Sequence, residues 1–322
     1  MIANANRSID SSRLCLKRGL TLWRRDDFPG ISCLAGEGQV PFQTESSFYC
    51  HSVPKKSKPL FAVVPAIEQP ETVPRTVGAS FTVQHLTVVV PCFNESEAIE
   101  PLVDRLCDLR ADLCDLKTFR VILVDDGSDD DTWQVMQSVT SHLPWIERVR
   151  HDQNRGITAA IMTGMRAAET EFVATLDSDC TYDPLQMRQL LQMVDSQVTL
   201  VTASPYHPQG AVVGVPGWRL LLSKTASTAY AAAINVPLHT YTSCFRIYRR
   251  PDFVNIVVRN QGFVGMAELL WVAVRAGGTV KETPAILTSR RVGYSKLRTL
   301  PVIAGHLRLI GQIIYQRLSR KL

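Results

Sequence analysis

Apolar runs alternate with helical segments between residues 86 and 176, and this alternation sets the fold class. The runs at 86–91, 119–124, 146–151 and 172–176 have the composition of buried strands. Strands that alternate with helices predict an α/β fold with a mostly parallel, doubly wound sheet and right-handed crossovers. We therefore expect a single Rossmann-like domain over residues 85–297.

The same patterns assign the remaining segments of that domain. Helices are expected at residues 97–114, 131–142, 158–169, 184–194, 218–234 and 263–276. Further strands are expected at 198–203, 243–248 and 279–286, and the Pro- and Gly-rich segment 204–217 is expected to be a loop. Asn94 or Ser96 is a suitable N-cap for the first helix.

Acidic residues follow two of the predicted strands. Asp125 and Asp126 come after the strand at 119–124, and Asp177 and Asp179 come after the strand at 172–176. Open α/β sheets bind ligands at the carboxyl ends of their strands, and neighbouring carboxylates tend to recruit a cation or a proton. Beside a diphosphate, such oxygen ligands suit Mg²⁺ or Mn²⁺. By itself, however, Asp-x-Asp is also typical of a turn after a strand.

Two common nucleotide-binding motifs are missing from the sequence. No G-x-G-x-x-G opens the first helix and no G-x-x-x-x-G-K-[ST] occurs, so neither a dinucleotide fold nor a P-loop is supported. The strand-end acids, backbone donors and the ring of Phe93 still predict a nucleotide with its cation, in which Asp125 or Asp126 accepts hydrogen bonds from a base or ribose.

The composition fits a globular enzyme. Of the 322 residues, 45% are hydrophobic and 20% are charged. The formal net charge of +5 is too small to indicate nucleic-acid binding. The eight cysteines form no C-x-x-C pair, which argues against a zinc site or a disulfide framework and favours a reducing compartment.

The two ends of the chain differ from the central domain. Residues 1–84 carry scattered prolines and no sustained periodicity, so a disordered leader without a signal peptide is expected. No window offers the roughly 18 uninterrupted apolar residues of a spanning helix. Residues 298–322 are expected to form an amphipathic helix, either at a membrane interface or packed on the protein's own core. Its apolar face would comprise Ile303, Leu307, Ile310, Ile314 and Leu318.

Four motifs resemble, in their order, those of the inverting GT-A glycosyltransferases of family 2. They are VPCFNE at 90–95, VDDGSD at 124–129, NRG at 154–156 and LDSD at 176–179. Later segments resemble the branch that uses polyprenyl or dolichyl phosphate, typified by mannosyltransferases. These segments are GWR at 217–219, TSCFRIY at 242–248, GFV at 262–264 with ELL at 268–270, and RVGYSK at 291–296.

The resemblance implies a role for each matching residue. The nucleotide-sugar would contact Pro91, Phe93, Glu95, Asp125, Asp126, Arg155 and Asp177. Asp177 and Asp179 would hold Mg²⁺ or Mn²⁺, and the catalytic residues would be Asp179, Arg246 and Arg291. The acceptor phosphate would contact Arg219, Ser295 and Lys296. The implied reaction is sugar transfer from a nucleotide-diphospho-sugar to a polyprenyl phosphate, by an enzyme bound peripherally at the cytoplasmic face of a membrane.

The chemistry of the residues leaves other functions open. The leaving diphosphate must be neutralised by a cation and by Arg or Lys, whereas a phosphate acceptor is already an anion and needs no strong base. A hydroxyl acceptor, on a glycan or a small molecule, would need a carboxylate such as Glu268 or Asp183. A non-catalytic sugar-nucleotide-binding protein and a nucleotidyltransferase are alternatives of other classes.

Some positions depart from the family pattern. Residues 204–207 (SPYH) stand where many mannosyltransferases of the branch carry Arg-Tyr, Cys244 replaces a glycine, and Cys180-Thr181 follow the second acid. These changes leave the donor sugar open. Single residues also allow structural interpretations, in which Arg246 pairs with Glu268 and Trp218 belongs to the core.

Overall fold

Nine β-strands and seven α-helices lie in the part of the chain that the computed structural model describes, which is residues 81–290 and 299–319. The strands are β1 (His85–Cys92), β2 (Thr118–Asp125), β3 (Ile146–Arg150), β4 (Phe172–Thr175), β5 (Val198–Ser204), β6 (Ala211–Val213), β7 (Arg246–Arg249), β8 (Thr279–Pro284) and β9 (Ile286–Thr288). The helices are α1 (Ser96–Asp112), α2 (Thr132–Thr140), α3 (Ile157–Ala167), α4 (Met187–Gln192), α5 (Gly217–Ile234), α6 (Val264–Arg275) and α7 (Thr299–Ser319). Most of the predicted leader lies outside the described residues.

Seven of the strands form one sheet in the order β3-β2-β1-β4-β7-β5-β8. β1 pairs in parallel with both β2 and β4, and β2 pairs in parallel with β3. The chain therefore winds outward on one side of β1 and then crosses to the other side, which creates the switch point where such sheets bind ligands. The predicted α/β class and mostly parallel sheet are confirmed.

β7 runs against the direction of its neighbours. It lies between β4 and β5 and is antiparallel to both. Three of its four residues are buried, as expected for a strand inside a sheet. Because Thr175 of β4 is paired with Arg246 of β7, the residues just before β7 lie beside those just after β4. The antiparallel strand thus brings a distant part of the chain to the end of β4.

Helices cover both faces of the sheet, which explains why seven of the eight residues of β1 are buried and most of them are apolar. Val88 and Val90 belong to the same cluster as residues of α1, whereas Val89 packs on the opposite face with Ala160 of α3. α3 approaches β1 closely at Gly164, where a Cβ atom would lie only 2.4 Å from a methyl group of Val89.

The start of α1 is capped by the segment that precedes α2. Thr132 Oγ1 accepts a hydrogen bond of 2.8 Å from the backbone N–H of Glu95, and Asp130 accepts one of 3.4 Å from Ser96. Asn94, one of the two predicted caps, instead accepts a hydrogen bond of 2.8 Å from the backbone N–H of Asp129. These bonds fix the loop after β1 to the loop after β2.

The last three helices form a hydrophobic cluster of their own, which includes Leu309 and Ile313 of α7. The predicted tail helix is present, but its predicted apolar face is divided. Leu307, Ile314 and Leu318 are exposed, while the neighbouring Leu309 and Ile313 are buried. None of the helices in the described ranges is long and apolar enough to cross a membrane.

The structure differs from the sequence prediction in three further segments. The helix predicted at 184–194 begins with a 3₁₀ turn, Pro184–Gln186, and α4 is short. The strand predicted at 279–286 is broken at Ala285 into β8 and β9. The predicted loop at 204–217 contains β6, which pairs in parallel with β9.

Candidate active site

The carboxyl ends of β1, β2 and β4 lie side by side. Cys92 is paired with Asp125, and the N–H of Asp126 donates a 2.8 Å hydrogen bond to the Cys92 carbonyl. The N–H of Leu176 donates to the Val89 carbonyl over 3.3 Å. The loops that carry the predicted acids therefore begin at one edge of the sheet.

Asp177 and Asp179 follow β4, and the charge of Asp179 affects the ionisation of Asp177. Withdrawal from water, and then the charge of Asp179, raise the pKa of Asp177 to about 7. The Asp179 side chain is only 7% exposed, and its Oδ1 accepts a 3.0 Å hydrogen bond from the N–H of Thr181. Two carboxylates so placed favour the uptake of a proton or a cation at neutral pH.

The guanidinium of Arg290 is a cation at this pair. Its Nε lies 2.5 Å from Asp179 Oδ2, and its Nη1 lies 3.1 Å from Glu95 Oε1. Burial disfavours the charged form of Arg290, but the two carboxylates outweigh that effect and raise its pKa. The sequence prediction named Arg291, which lies outside the described residues, and gave Arg290 no role in the site.

Cys244 adds a neutral donor beside Asp177. Its thiol lies close to the Asp177 carboxylate, and both residues line the smaller of two cavities. The thiol is buried, and burial followed by the charge of Asp177 raises its pKa well above the ordinary value. Cys244 reaches this place because it precedes the antiparallel strand β7, an arrangement that the sequence pattern did not predict.

Two cavities open on the acid pair. A cavity of about 480 Å³ lies between α1 and the segment after β4, and Asp179 and Cys180 line it. A second cavity of about 170 Å³ is lined by Asp177 and Cys244 together with Tyr206, Ser223 and Phe263. The larger volume falls in the range of small-molecule sites, so the two acids stand at the entrance to spaces that ligand groups can fill.

Asp125 is buried beneath the loop that follows β2. Its Oδ1 accepts hydrogen bonds from the N–H, at 3.1 Å, and from the hydroxyl of Ser128. Its Oδ2 lies 3.0 Å from Arg150 Nε without hydrogen-bond geometry. Ser128 Oγ in turn accepts the N–H of Asn94 at 2.9 Å. Asp125 thus supports both loops of the crevice.

Asp126 is not turned toward the crevice as predicted. Its carboxylate accepts the N–H groups of Arg155, at 2.9 Å, and Gly156, at 2.7 Å. It also lies 2.7 Å from His151 Nδ1, whose Nε2 is 2.9 Å from Thr163 Oγ1. Because the carboxylate is buried and its oxygens accept hydrogen bonds within the protein, it shapes the turn before α3, and its contact with the nucleoside stays a prediction.

Arg246 lies in the core rather than at a reacting phosphate. It is completely buried and donates hydrogen bonds of 2.6 Å to the carbonyls of Met266 and Tyr241. The alternative pairing with Glu268 is wrong too, since Glu268 accepts its hydrogen bonds from another loop. The structure therefore gives Arg246 a structural role, and its catalytic role stays a prediction.

The two carboxylates considered as general bases are both engaged elsewhere. Glu268 accepts the N–H groups of Arg259 and Asn260, at 3.0 and 2.8 Å. Asp183 accepts the guanidinium of Arg105 over 2.5 Å and caps the 3₁₀ turn through the N–H of Leu185. Neither residue offers an unengaged carboxylate beside Asp177.

The other predicted site residues have varied surroundings. Pro91 is buried at the end of β1, Phe93 is partly exposed on the following loop, and Arg155 is exposed. Arg219 lies in α5. Trp218, expected in the core, is 56% exposed. Arg291, Ser295 and Lys296 lie outside the described residues.

A parallel α/β sheet that carries paired acids at its switch point is characteristic of glycosyltransferases with the GT-A fold. The similarity to solved structures concerns the fold. Glucosyl-3-phosphoglycerate synthase from Mycobacterium tuberculosis, crystallised with Mn²⁺, UDP and glucosyl-3-phosphoglycerate, superposes with a TM-score of 0.52 at 19% identity. The match covers 73% of this chain and 80% of that one.

Sequence comparison gives the family. The model of glycosyl transferase family 2 matches residues 87–256. Polyprenol monophosphomannose synthase of Mycolicibacterium smegmatis is 31% identical over 222 residues, which is 66% of this chain and 81% of that protein. Dolichol-phosphate mannosyltransferase of Pyrococcus furiosus is 27% identical over 215 residues, 66% of this chain and 59% of that protein. The chain belongs to glycosyl transferase family 2.

Proposed function

We propose that this enzyme moves a sugar from a nucleotide-diphospho-sugar to the phosphate of a polyprenyl lipid, with inversion at the anomeric carbon. The observation that carries the proposal is the Asp177–Asp179 pair at the end of β4, with the guanidinium of Arg290 against it. The two mannosyltransferase relatives are named for polyprenol and dolichol phosphate, which supports a lipid phosphate as acceptor.

The acid pair fits Mg²⁺ or Mn²⁺. Magnesium is usually held by one or two carboxylates and by phosphate oxygens of the substrate, not by a cage of protein ligands. Within residues 81–290 and 299–319, no group of three or more His, Cys, Asp or Glu could hold a metal ion, which suits a site that phosphate oxygens complete. Asp177 and Asp179 would hold the ion, and the bound ion would neutralise the departing nucleoside diphosphate.

The donor would lie over the ends of β1 and β2. Phe93 is partly exposed there and offers a ring to the base, while Glu95 and Arg290 border the same loop. Asp125 and Asp126 act indirectly, since they hold the loops on either side in place. Arg290 is well placed to contact the donor diphosphate, because a guanidinium forms two parallel hydrogen bonds to phosphate oxygens.

A phosphate acceptor fits the surroundings better than a hydroxyl acceptor does. A hydroxyl must lose its proton to a base during transfer, whereas a phosphate is ionised before it binds. The carboxylates of Glu268 and Asp183 are occupied by N–H groups and by Arg105. Neither Glu268 nor Asp183 is therefore available as the base that sugar transfer to a hydroxyl would need.

The surface of α5 and α7 suits contact with a membrane at its anionic, cytoplasmic face. Neither helix contains Asp or Glu, and both expose cations, among them Lys224 and Arg308. Their exposed apolar residues are Trp218, Leu221, Leu222, Leu307, Ile314, Tyr315 and Leu318. Apolar and cationic groups without acids are typical of helices that lie in a lipid interface. Ser223 of α5 also lines the smaller cavity, so a lipid-borne phosphate could enter from this side.

The test is a transfer assay with a matched pair of variants. Purified protein is incubated with Mn²⁺, radiolabelled UDP- and GDP-sugars, and either polyprenyl phosphates or water-soluble hydroxyl acceptors. We expect label in the lipid extract, its loss in Asp179→Asn, and its retention in Asp112→Asn, which removes only a surface pair with Arg188. If label appeared only in the water-soluble acceptors, the acceptor would be a hydroxyl and not a lipid phosphate. If the folded protein bound nucleotide but transferred no sugar, the protein would be a binding protein and not an enzyme.

A further inference from the structure

Arg290 occupies the side of the acid pair that a metal ion would need. Its Nε is 2.5 Å from Asp179 Oδ2, while the other oxygen of Asp179 accepts the N–H of Thr181 at 3.0 Å. Both oxygens of this carboxylate are therefore engaged. Because a divalent cation and a guanidinium repel each other, they cannot share Asp179 Oδ2 at bonding distance.

The backbone near Arg290 is fixed to the loop that carries the acids. Two residues earlier, Thr288 donates hydrogen bonds to the Thr181 carbonyl from both its N–H, at 2.8 Å, and its hydroxyl, at 3.0 Å. Ser289 donates to the Val213 carbonyl over 3.0 Å. These contacts hold the base of the Arg290 side chain near Asp179, so a change of partner requires only that the long side chain swings.

The second contact of Arg290 is with the loop over which the donor would lie. Its Nη1 lies 3.1 Å from Glu95, a residue of the loop after β1. The Arg290 side chain is 29% exposed, whereas those of Asp179 and Glu95 are 7% and 9% exposed. A buried carboxylate pair neutralised by a cation at the edge of a cavity is a place where one cation can be exchanged for another.

We propose that Arg290 is an internal counter-ion whose exchange makes metal binding depend on the donor. When the metal reaches Asp179, Arg290 leaves that carboxylate, and the donor diphosphate supplies its new partner. The metal therefore binds weakly alone and tightly with a diphosphate, and by reciprocity the diphosphate binds more tightly with the metal. This inference rests on the proposed function, since it assumes that Asp179 is a metal ligand.

The binding of Mn²⁺ to the full chain tests this directly, without any turnover. Free Mn²⁺ is followed by electron paramagnetic resonance, with and without inorganic pyrophosphate, UDP or GDP, and protein-free titrations correct for Mn²⁺–diphosphate complexes. The variants are Arg290→Gln, Arg290→Lys and the control Arg105→Gln, which removes another ion-paired arginine that lines the same cavity as Asp179. Circular dichroism melts establish that each variant is folded.

We expect Arg290→Gln to bind Mn²⁺ alone about tenfold or more tightly than the wild type, because a charge-assisted contact no longer competes. The gain in Mn²⁺ affinity that pyrophosphate produces in the wild type should shrink by a similar factor. Arg290→Lys should fall between the two, and Arg105→Gln should match the wild type. Unchanged or weaker Mn²⁺ binding in a folded Arg290→Gln would overturn the inference.

Asp179→Asn separates this inference from the proposed function. If the wild type binds Mn²⁺ in the presence of diphosphate and Asp179→Asn does not, the metal site is supported. The Arg290 variants then test only whether Arg290 exchanges with the metal. If Asp179→Asn binds Mn²⁺ like the wild type, the metal site itself is misplaced and the proposed function fails at that point.

Discussion

The thiol of Cys244 lies beside the carboxylate of Asp177, in the wall of the smaller cavity. A thiol is a weak donor, so it compensates little for the loss of water around this carboxylate. Burial and the nearby Asp179 dominate instead, and they raise the pKa of Asp177 to about 7. Without a metal ion, Asp177 is therefore a source of instability that grows as the pH rises.

The first prediction concerns Asp177→Asn in the metal-free protein. Because the folded pKa of about 7 exceeds the ordinary value of 3.8, the folded state binds more protons between these values, and its stability falls as pH rises. The variant should remove this trend and be more stable than the wild type at pH 8, by up to about 4 kcal/mol, the equivalent of that difference in pKa. Urea denaturation in the presence of EDTA, at pH 5 and pH 8, measures the free energy of unfolding of both proteins. An equal pH dependence in both proteins would contradict it.

A second prediction concerns the turn that Asp126 organises. Gly156 has a φ of 101°, and a Cβ atom there would lie 2.5 Å from the Gln261 carbonyl. Gly156→Ala should cost about 2 kcal/mol or more, through backbone strain and the clash. The matched control is Gly311→Ala in α7, where no atom lies within 4 Å and alanine should stabilise the helix by about 0.5–1 kcal/mol. Equal denaturation midpoints for the two variants would refute this explanation.

Arg246 gives a third prediction, which separates a structural role from a catalytic one. Arg246→Gln leaves the carbonyls of Met266 and Tyr241 without their charged donor, and should lower the free energy of unfolding by about 3 kcal/mol or more. Arg246→Lys keeps the charge and should lose less stability. Denaturation curves are compared with the kcat of the remaining folded protein. Native stability together with a loss of kcat above a hundredfold would return Arg246 to the catalytic residues.

Much of the fold could be predicted because its signals are local. The buried runs of β1 and β4 and the helices between them follow from apolar periodicity, and parallel strands bring their carboxyl ends to one edge. The meeting of the loops that carry Asp125 and Asp177 needed no further information. The direction of β7 could not be predicted in this way, because a buried strand of four residues has the same apolar pattern whether it runs parallel or antiparallel to its neighbours.

The contacts of the site residues were harder to predict. Asp125 and Asp126 are adjacent, yet Asp125 is bonded to Ser128 and Asp126 to the turn before α3, because alternate side chains of an extended chain point in opposite directions. The predicted role of Arg246 at a phosphate rests on the family resemblance alone. The structure satisfies its guanidinium with backbone carbonyls that come from distant segments. Such partners cannot be found by spacing in the sequence.

The last prediction tests the membrane surface. Leu221 is 67% exposed on α5, near Trp218, in a helix without acidic residues. Leu221→Glu should weaken binding to vesicles that contain anionic lipid by about tenfold or more, since burying a leucine is worth roughly 1.5–3 kcal/mol and the new charge is repelled. The control is Val257→Glu, which places the same charge at a residue that is 86% exposed outside both helices. The fraction of each variant that sediments with vesicles is measured without anionic lipid and with about 30% phosphatidylglycerol. If Leu221→Glu sediments like Val257→Glu, α5 does not face the lipid.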